Sequence, residues 1–176
     1  MQIAYREVMS PDPETLTRIG RLRVEVWRDE GSLADEIVAR GEWTDDSDLS
    51  ASHWLAETAV GQLVAAGRLA LHESLAGSLD GFVWQRAGRT IPLPLASISR
   101  LVVAREARGH GIASELNRLR VEAAKARGAR CVTVTASVAN ARLLERIGFV
   151  DTGLVVQFDN RPGVVFHALE LRFAIV

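Results

Sequence analysis

The stretch that decides the fold lies beyond the middle of the chain and reads Ile98-Ser-Arg-Leu-Val-Val-Ala-Arg-Glu-Ala-Arg-Gly-His-Gly-Ile-Ala-Ser114. Its apolar start predicts a strand that ends near Val103, and its second half predicts a tight turn that runs into a helix. Glycines such as Gly109 and Gly111 let a backbone turn tightly, and the first N–H groups of a helix have no intrahelical acceptor. Together with Arg108, such a turn suits an anion such as a pyrophosphate, although a plain turn with an exposed arginine has the same pattern.

A second informative stretch follows the predicted helix and reads Val132-Thr-Val-Thr-Ala-Ser-Val-Ala-Asn-Ala-Arg-Leu-Leu-Glu-Arg-Ile-Gly-Phe149. It predicts a strand, a helix led by Asn140, and a Gly-Phe pair that enters another strand. The two stretches together resemble the GCN5-related N-acetyltransferase (GNAT) superfamily. Its members carry strand–[Arg/Gln]-x-x-Gly-x-[Gly/Ala]–helix and then strand–Asn–helix–Gly-Phe. The resemblance spans residues 98–153, and the flanking elements follow the order of that fold.

The predicted fold class is mixed α/β, with the order βααβββ–loop–βαβαββ. The resemblance implies a central, mixed, twisted sheet of six or seven strands flanked by about four helices, as a single N-acyltransferase domain over residues 1–176. Glu73 to Pro94 reads as a long irregular segment that forms a lid or an interface, because loops of this length in compact domains are often functional.

The resemblance implies that acetyl-CoA is the co-substrate. The predicted turn would hold its pyrophosphate through Arg108, Gly109, His110, Gly111, Ile112, Ala113 and Ser114. The pantetheine arm would lie along main-chain groups of Leu101 and Val103 and form a hydrogen bond with Asn140. The N–H groups of Val102 and Val103 would face the thioester carbonyl and stabilise the oxyanion. The basic balance of residues 105–130 suits a cofactor that carries phosphates.

The chain departs from the family pattern at the catalytic positions. Many members have a tyrosine that protonates the departing thiolate where this chain has Leu144. The inward-facing positions of the central strand, where many members place a general base, are serines, and Ser99 is one of them. The catalytic candidates are therefore Ser99, Ser137 and Glu73. His72, which precedes Glu73, is a further candidate for the base, as are Glu25 and Asp29 on the predicted first helix. Each of these four also fits a solvated surface residue.

The missing base bears on the acceptor. A lysine amine with a pKa of ~10.4 is costlier to deprotonate at neutral pH than an α-amine with a pKa of ~8. We therefore expect the enzyme to acetylate a primary amine of a small molecule, by direct attack in a ternary complex.

The first hundred residues also loosely resemble acyl-homoserine-lactone synthases and N-acyl amino acid synthases. Asp45, Asp48, Arg68, Ser99 and Arg100 fall at matching places. Trp27, Arg68 and Arg100 are the candidate substrate-binding residues, while the acidic run 45–48 also fits a solvated loop. This resemblance implies an alternative donor, a longer acyl-CoA or an acyl carrier protein. A non-catalytic acyl-CoA-binding domain is a further alternative.

Other classes fit the sequence poorly. The single cysteine, Cys131, excludes an internal disulfide and reads as a core residue, and the four histidines lack metal-ligand spacing, so no metal is expected. A net charge of −1 and no aromatics among the arginines argue against nucleic acid. No apolar run reaches the ~20 residues of a membrane span, and no signal peptide is recognisable, so we expect a cytoplasmic protein without a membrane partner. A homodimer remains open.

Overall fold

A computed structural model describes residues 2–174 of the chain. One mixed seven-stranded sheet has the strand order β1-β2-β3-β4-β5-β7-β6. The elements, in chain order, are β1 (Ile3–Met9), α1 (Pro13–Asp29), α2 (Asp35–Arg40), α3 (Ser47–Ser50), β2 (Ser52–Thr58), β3 (Leu63–His72), α4 (Gly81–Arg86), β4 (Leu95–Val103), a 3-10 turn (Arg105–Ala107), α5 (Ile112–Ala126), β5 (Cys131–Ser137), α6 (Val138–Glu145), β6 (Val150–Val156) and β7 (Phe166–Arg172). The predicted fold class is confirmed. The predicted order was wrong before β4, because a third helix, α3, precedes β2 and only two strands separate the N-terminal helices from the long segment 73–94.

The contacts group the chain into two compact units. Unit 1 comprises Met1–Arg68, Arg100–Leu116 and Gln157–Val164, and unit 2 comprises Leu69–Ser99, Asn117–Val156 and Val165–Val176. Strands β3 and β4 and helix α5 each run through both units. The prediction of a single acyltransferase domain remains a prediction.

Unit 1 is built around helix α1. Asp12 caps this helix by accepting a hydrogen bond from the Thr15 N–H at 2.8 Å, and Pro13 occupies the first turn, where a missing N–H costs nothing. The apolar stripe of α1, which includes Ile19 and Trp27, is buried in one core cluster with residues of β2, β3, the end of β4 and the start of α5. The packed apolar side chains of this cluster therefore hold the turn before α5 in place.

Unit 2 contains two smaller apolar clusters. In this unit β4 pairs in parallel with β5 from Leu95–Cys131 to Ser97–Thr133, and β5 pairs with β7 along its whole length. Cys131 is fully buried, as predicted for a core residue, and burial raises the pKa of its thiol to about 12.

The segment 73–94 is not irregular throughout, as the sequence had suggested. Residues 81–86 form α4, because Val83 and Trp84 turn inward onto Leu95 and Cys131 as part of one core cluster. Trp84 is fully buried. Phe82 stays largely exposed.

Helices long and apolar enough to cross a membrane do not occur in residues 2–174.

Candidate active site

The turn between β4 and α5 has the backbone geometry that its glycines predict. Gly109 and Gly111 have φ angles of +78° and +76°, in the left-handed region that other residues adopt only with strain. The Gly111 carbonyl accepts the first helical bond of α5 from the Glu115 N–H at 3.0 Å. The N–H groups that follow Gly111 therefore open the helix and have no intrahelical acceptor. A Cβ placed on either glycine would meet no atom within 4 Å, so the surface of the turn is open.

Arg108 stands at this turn with its side chain about half exposed. Its Nε donates to the Val103 carbonyl at 3.1 Å, and its Nη2 donates to Glu30 Oε1 at 3.0 Å. The carbonyl of Val103, which the sequence offered to a pantetheine arm, thus already accepts one hydrogen bond. The Glu30 carboxylate accepts from Arg108 the kind of hydrogen bond that a phosphate oxygen would accept. His110 bonds through Nδ1 to the Arg108 carbonyl and is exposed, as predicted.

Glu30 connects the turn to a second arginine. Arg161 donates to Glu30 Oε2 at 3.4 Å, to the Ser32 carbonyl at 2.7 Å and to Ser32 Oγ at 2.9 Å. Its guanidinium lies 4.4 Å from the ring centroid of Trp27, where a cation–π contact forms. Trp27, a predicted substrate-binding residue, is almost entirely buried under this arginine. Sequence reasoning missed Arg161, which lies in the segment after β6.

Five charged residues, which we call the arginine–carboxylate cluster, gather in unit 1. They are Arg23, Asp45, Asp48, Arg68 and Arg100. Asp48 accepts from Arg23 at 2.7 and 2.9 Å and from Arg68 at 2.8 Å. Asp45 accepts from Arg68 at 2.6 Å and from Arg100 at 2.9 Å. The side chains of Arg23, Asp48 and Arg68 are each 1% exposed, whereas Arg100 and Asp45 are 21% and 29% exposed.

The prediction that residues 45–48 form a solvated loop was therefore wrong for Asp48, which is buried, whereas Asp46 and Ser47 are exposed. Burial would raise the pKa of Asp48, but the hydrogen bonds and charge of Arg23, together with the charge of Arg68, hold it well below its usual range. Arg68 is buried against both carboxylates and holds the cluster together, and its contact with a substrate stays a prediction. Arg23 was missed, although it lies four residues after Ile19 and four before Trp27, on the apolar face of α1.

Arg100 is the one of the cluster's three arginines that reaches the surface. Its backbone adopts a φ of +53°, an unusual angle for a non-glycine residue in a strand, and such angles concentrate at functional sites. Its guanidinium lies 4.4 Å from the ring centroid of Trp43, which in turn packs edge-on against Trp27 with centroids 4.8 Å apart. The Nε of Arg100 is buried without a hydrogen-bond partner among residues 2–174. Burial and the nearby Arg68 lower the pKa of Arg100.

Unit 2 holds the remaining predicted residues. Asn140 lies within the first turn of α6, and Ser137 rather than Asn140 is the residue at the helix start. Asn140 Oδ1 accepts from Asn117 Nδ2 at 2.9 Å, and Asn117 Oδ1 accepts from Arg120 Nη2 at 2.6 Å. Arg120 also donates to the Ser99 carbonyl at 3.2 Å. Sequence reasoning missed Asn117 and Arg120.

A histidine and a serine meet on neighbouring strands of unit 2. His72 Nε2, at the end of β3, lies 2.7 Å from Ser97 Oγ on β4. Ser97 is buried and His72 is half-buried, whereas Glu73 is exposed. Of the two neighbours proposed as bases, His72 is thus the one whose position is fixed by a hydrogen bond. Leu144, at the position of the usual tyrosine, is fully buried in the apolar core.

The fold and the glycine turn before α5 define an N-acyltransferase. The model of the acetyltransferase (GNAT) family matches residues 16–149, more than half of the chain, and the chain belongs to this family.

Solved structures of the same fold cover nearly the whole chain. TofI, in a ternary complex with an inhibitor and MTA, is 20% identical with a TM-score of 0.68, over 98% of this chain and 91% of that one. An acyl-CoA N-acyltransferase from Pseudomonas aeruginosa is 21% identical with a TM-score of 0.62, over 96% and 99%. A chain of the NatC complex bound to Gag peptide and CoA is 16% identical with a TM-score of 0.64, over 99% and 100%. At these identities the likeness concerns the fold alone. No curated protein matches the chain by sequence.

Proposed function

We propose that the protein is an N-acetyltransferase that transfers the acetyl group of acetyl-CoA to a primary amine of a small molecule. The observation that carries this proposal is the open turn of Arg108, Gly109 and Gly111, which ends in unpaired N–H groups at the start of α5. Backbone donors, the helix dipole and the half-exposed Arg108 guanidinium together favour a pyrophosphate. A neighbour of the same fold was solved with CoA bound. A reducing, cytoplasmic setting is part of the same proposal.

In the proposed reaction the neutral amine attacks the thioester carbonyl directly. The C–N bond forms, the C–S bond breaks, the amine loses one proton, and the thiolate takes up one proton. No covalent enzyme intermediate is needed, because holding both reactants in line supplies much of the rate. The N–H groups of Val102 and Val103 would face the developing oxyanion.

We propose His72 as the group that takes up the amine proton, with Ser97 holding its ring. Imidazole is the side chain whose ordinary pKa lies closest to neutrality, which suits a general base. Because Leu144 cannot donate a proton, Ser137 or water would protonate the thiolate. Ser99 would then line the site without titrating, and Glu73 would be too exposed to be held in place.

Isothermal titration tests the donor assignment. Wild-type protein is titrated with acetyl-CoA, free CoA and a medium-chain acyl-CoA, and then Arg108→Ala and Gly111→Asp are titrated in the same way. We expect acetyl-CoA to bind and both variants to bind it more weakly. Exposed Arg105→Ala, in the 3-10 turn before Arg108, is the matched control and should retain the wild-type affinity. Failure of wild-type protein to bind any of the three compounds would overturn the donor assignment.

A second function is favoured by the arginine–carboxylate cluster. It combines three arginines with two aspartates, and Arg100 carries the excess positive charge to the surface. A surface arginine of this kind suits an acceptor with a carboxylate group. Such an acceptor would be used by an N-acyl amino acid synthase or by a synthase resembling those of acyl-homoserine lactones. The donor would then be a longer acyl-CoA or an acyl carrier protein. Much tighter binding of the medium-chain acyl-CoA than of acetyl-CoA would favour this alternative.

A further inference from the structure

A directional chain of hydrogen bonds links α5 to α6 in unit 2. It runs from Arg120 to Asn117 over 2.6 Å, and from Asn117 to Asn140 over 2.9 Å. None of these bonds was used in the proposed reaction. This series of hydrogen bonds ends on Asn140, the residue proposed to contact the pantetheine arm.

The direction of both hydrogen bonds follows from the chemistry of Arg120, the first donor. A guanidinium has N–H donors and no acceptor, so the atom of Asn117 that faces Arg120 must be the oxygen. The Asn117 Nδ2 group then points to Asn140 as a donor, and Asn140 must meet it with Oδ1. Since Oδ1 is engaged, a ligand at the half-buried Asn140 meets the Nδ2 group.

Burial makes this direction difficult to reverse. Asn117 and Arg120 are each 1% exposed, and turning over the Asn117 amide would place an N–H donor against the guanidinium. Burial lowers the pKa of Arg120 to about 9, which still leaves it charged at pH 7. A buried donor that faces another donor loses its hydrogen bond without compensation from water.

We propose that Asn117 and Arg120 are positioning residues that fix Asn140 as a hydrogen-bond donor, so that the site selects an acyl donor whose arm presents a carbonyl oxygen there. The proposal rests on the proposed function, because it concerns the same CoA-type donor. An amide carbonyl of a pantetheine arm is such an acceptor, and an alkyl or ammonium group is not.

The variant Asn117→Asp tests the direction of these hydrogen bonds. The carboxylate has nearly the same shape as the amide and pairs with Arg120, but both of its oxygens are acceptors. Asn140 must then turn its Nδ2 group inward and present Oδ1 to the ligand, which places two acceptors face to face. We expect the Kd of acetyl-CoA to rise about tenfold or more, which corresponds to one lost hydrogen bond. Adenosine 3′,5′-bisphosphate, which lacks the arm, should bind with unchanged affinity.

Two further variants separate positioning from a general effect. In the Asn140→Ala background, Asn117→Asp should have no additional effect on acetyl-CoA, because the group that it redirects is gone. Gln85→Glu, on the exposed side of α4, adds the same charge and should change neither affinity. If Asn117→Asp does not fold, Asn140→Asp replaces it, since Asn117 Nδ2 still finds an acceptor and only the outward donor is lost.

The outcomes are distinct. Unchanged acetyl-CoA affinity in Asn117→Asp or its substitute Asn140→Asp, or an equal loss for acetyl-CoA and the bisphosphate, would overturn the positioning role while leaving the proposed function standing. An equal effect of Asn117→Asp with and without Asn140 would overturn it as well. A wild-type protein that binds neither compound would overturn the proposed function, and this inference with it.

Discussion

Replacing Asp48 by asparagine should destabilise the protein strongly. Asp48 lies between Arg23 and Arg68, and all three side chains are 1% exposed. Asn keeps the shape but removes the negative charge, so two buried guanidinium groups lose their shared counter-charge. Removing one partner of a buried ion pair costs about 3–5 kcal/mol, a large part of the about 5–15 kcal/mol that keeps a domain folded. For a chain of this size each kcal/mol lowers Tm by about 2–4 °C, so we expect a decrease of about 6–20 °C.

Urea denaturation at pH 7, followed by tryptophan fluorescence, measures the change in the free energy of unfolding, and thermal melting gives the change in Tm. Exposed Asp46→Asn removes the same charge two residues away and should change the unfolding free energy by less than about 0.5 kcal/mol. If Asp48→Asn also costs less than about 1 kcal/mol, water must screen the cluster, and the reasoning from burial is wrong.

The same aspartate should make stability depend on acidity. Its burial would raise its pKa, but Arg23 and Arg68 together hold it below the ordinary value, so the unfolded chain takes up the proton more readily than the folded one. The contribution is therefore fully present above about pH 4 and is lost as the pH falls further. We expect the unfolding free energy of the wild type to decrease below about pH 4 by up to about 1.4 kcal/mol per pH unit for this group. In Asp48→Asn the decrease should be shallower, and equal slopes in the two proteins would contradict the assignment.

Three further expectations concern the site. Arg108→Ala should weaken acetyl-CoA binding about tenfold in isothermal titration, because it removes one charge-assisted hydrogen bond to phosphate, and an unchanged Kd would remove Arg108 from the site. Glu30→Gln should tighten acetyl-CoA binding, since Glu30 competes with phosphate for Arg108 at 3.0 Å, while Glu106→Gln is the exposed control. His72→Gln should lower kcat without changing the Kd of acetyl-CoA, and an unaltered kcat would exclude His72 as the base.

The glycine turn between β4 and α5 could be predicted from the sequence because its signal is local. The glycines at 109 and 111 are needed for left-handed backbone angles, and the helix that follows is visible as an apolar stripe within the next fifteen residues. Such features depend on neighbours in sequence, so spacing is enough to find them. The same holds for the end of β4 at Val103.

The arginine–carboxylate cluster could not be predicted in the same way. Asp48 looks like part of a polar loop, because the partners that bury it, Arg23 and Arg68, lie 25 and 20 residues away on other elements. The only local sign is an arginine on an apolar helix face. Arg120 shows the same sign, four residues after Leu116 and four before Ala124, both of which are fully buried. A charge within an apolar stripe thus marks a buried polar partner, although it does not identify that partner.

The charges of the cluster narrow the choice of acceptor further than the absence of a strong base does. A weak base such as the His72 imidazole favours any amine of low pKa, but the cluster adds a condition on the rest of the acceptor molecule. Asp48 is satisfied internally by two arginines, and Asp45 is shared between Arg68 and Arg100, so neither carboxylate needs a further cation. Arg100 retains a buried Nε without a partner in the described part of the chain. For the proposed reaction we therefore expect an acceptor that brings an anionic group to Arg100. An α-amine that carries a carboxylate meets both conditions, a low amine pKa and an anionic group. An amine of low pKa without an anionic group meets only the condition on the amine.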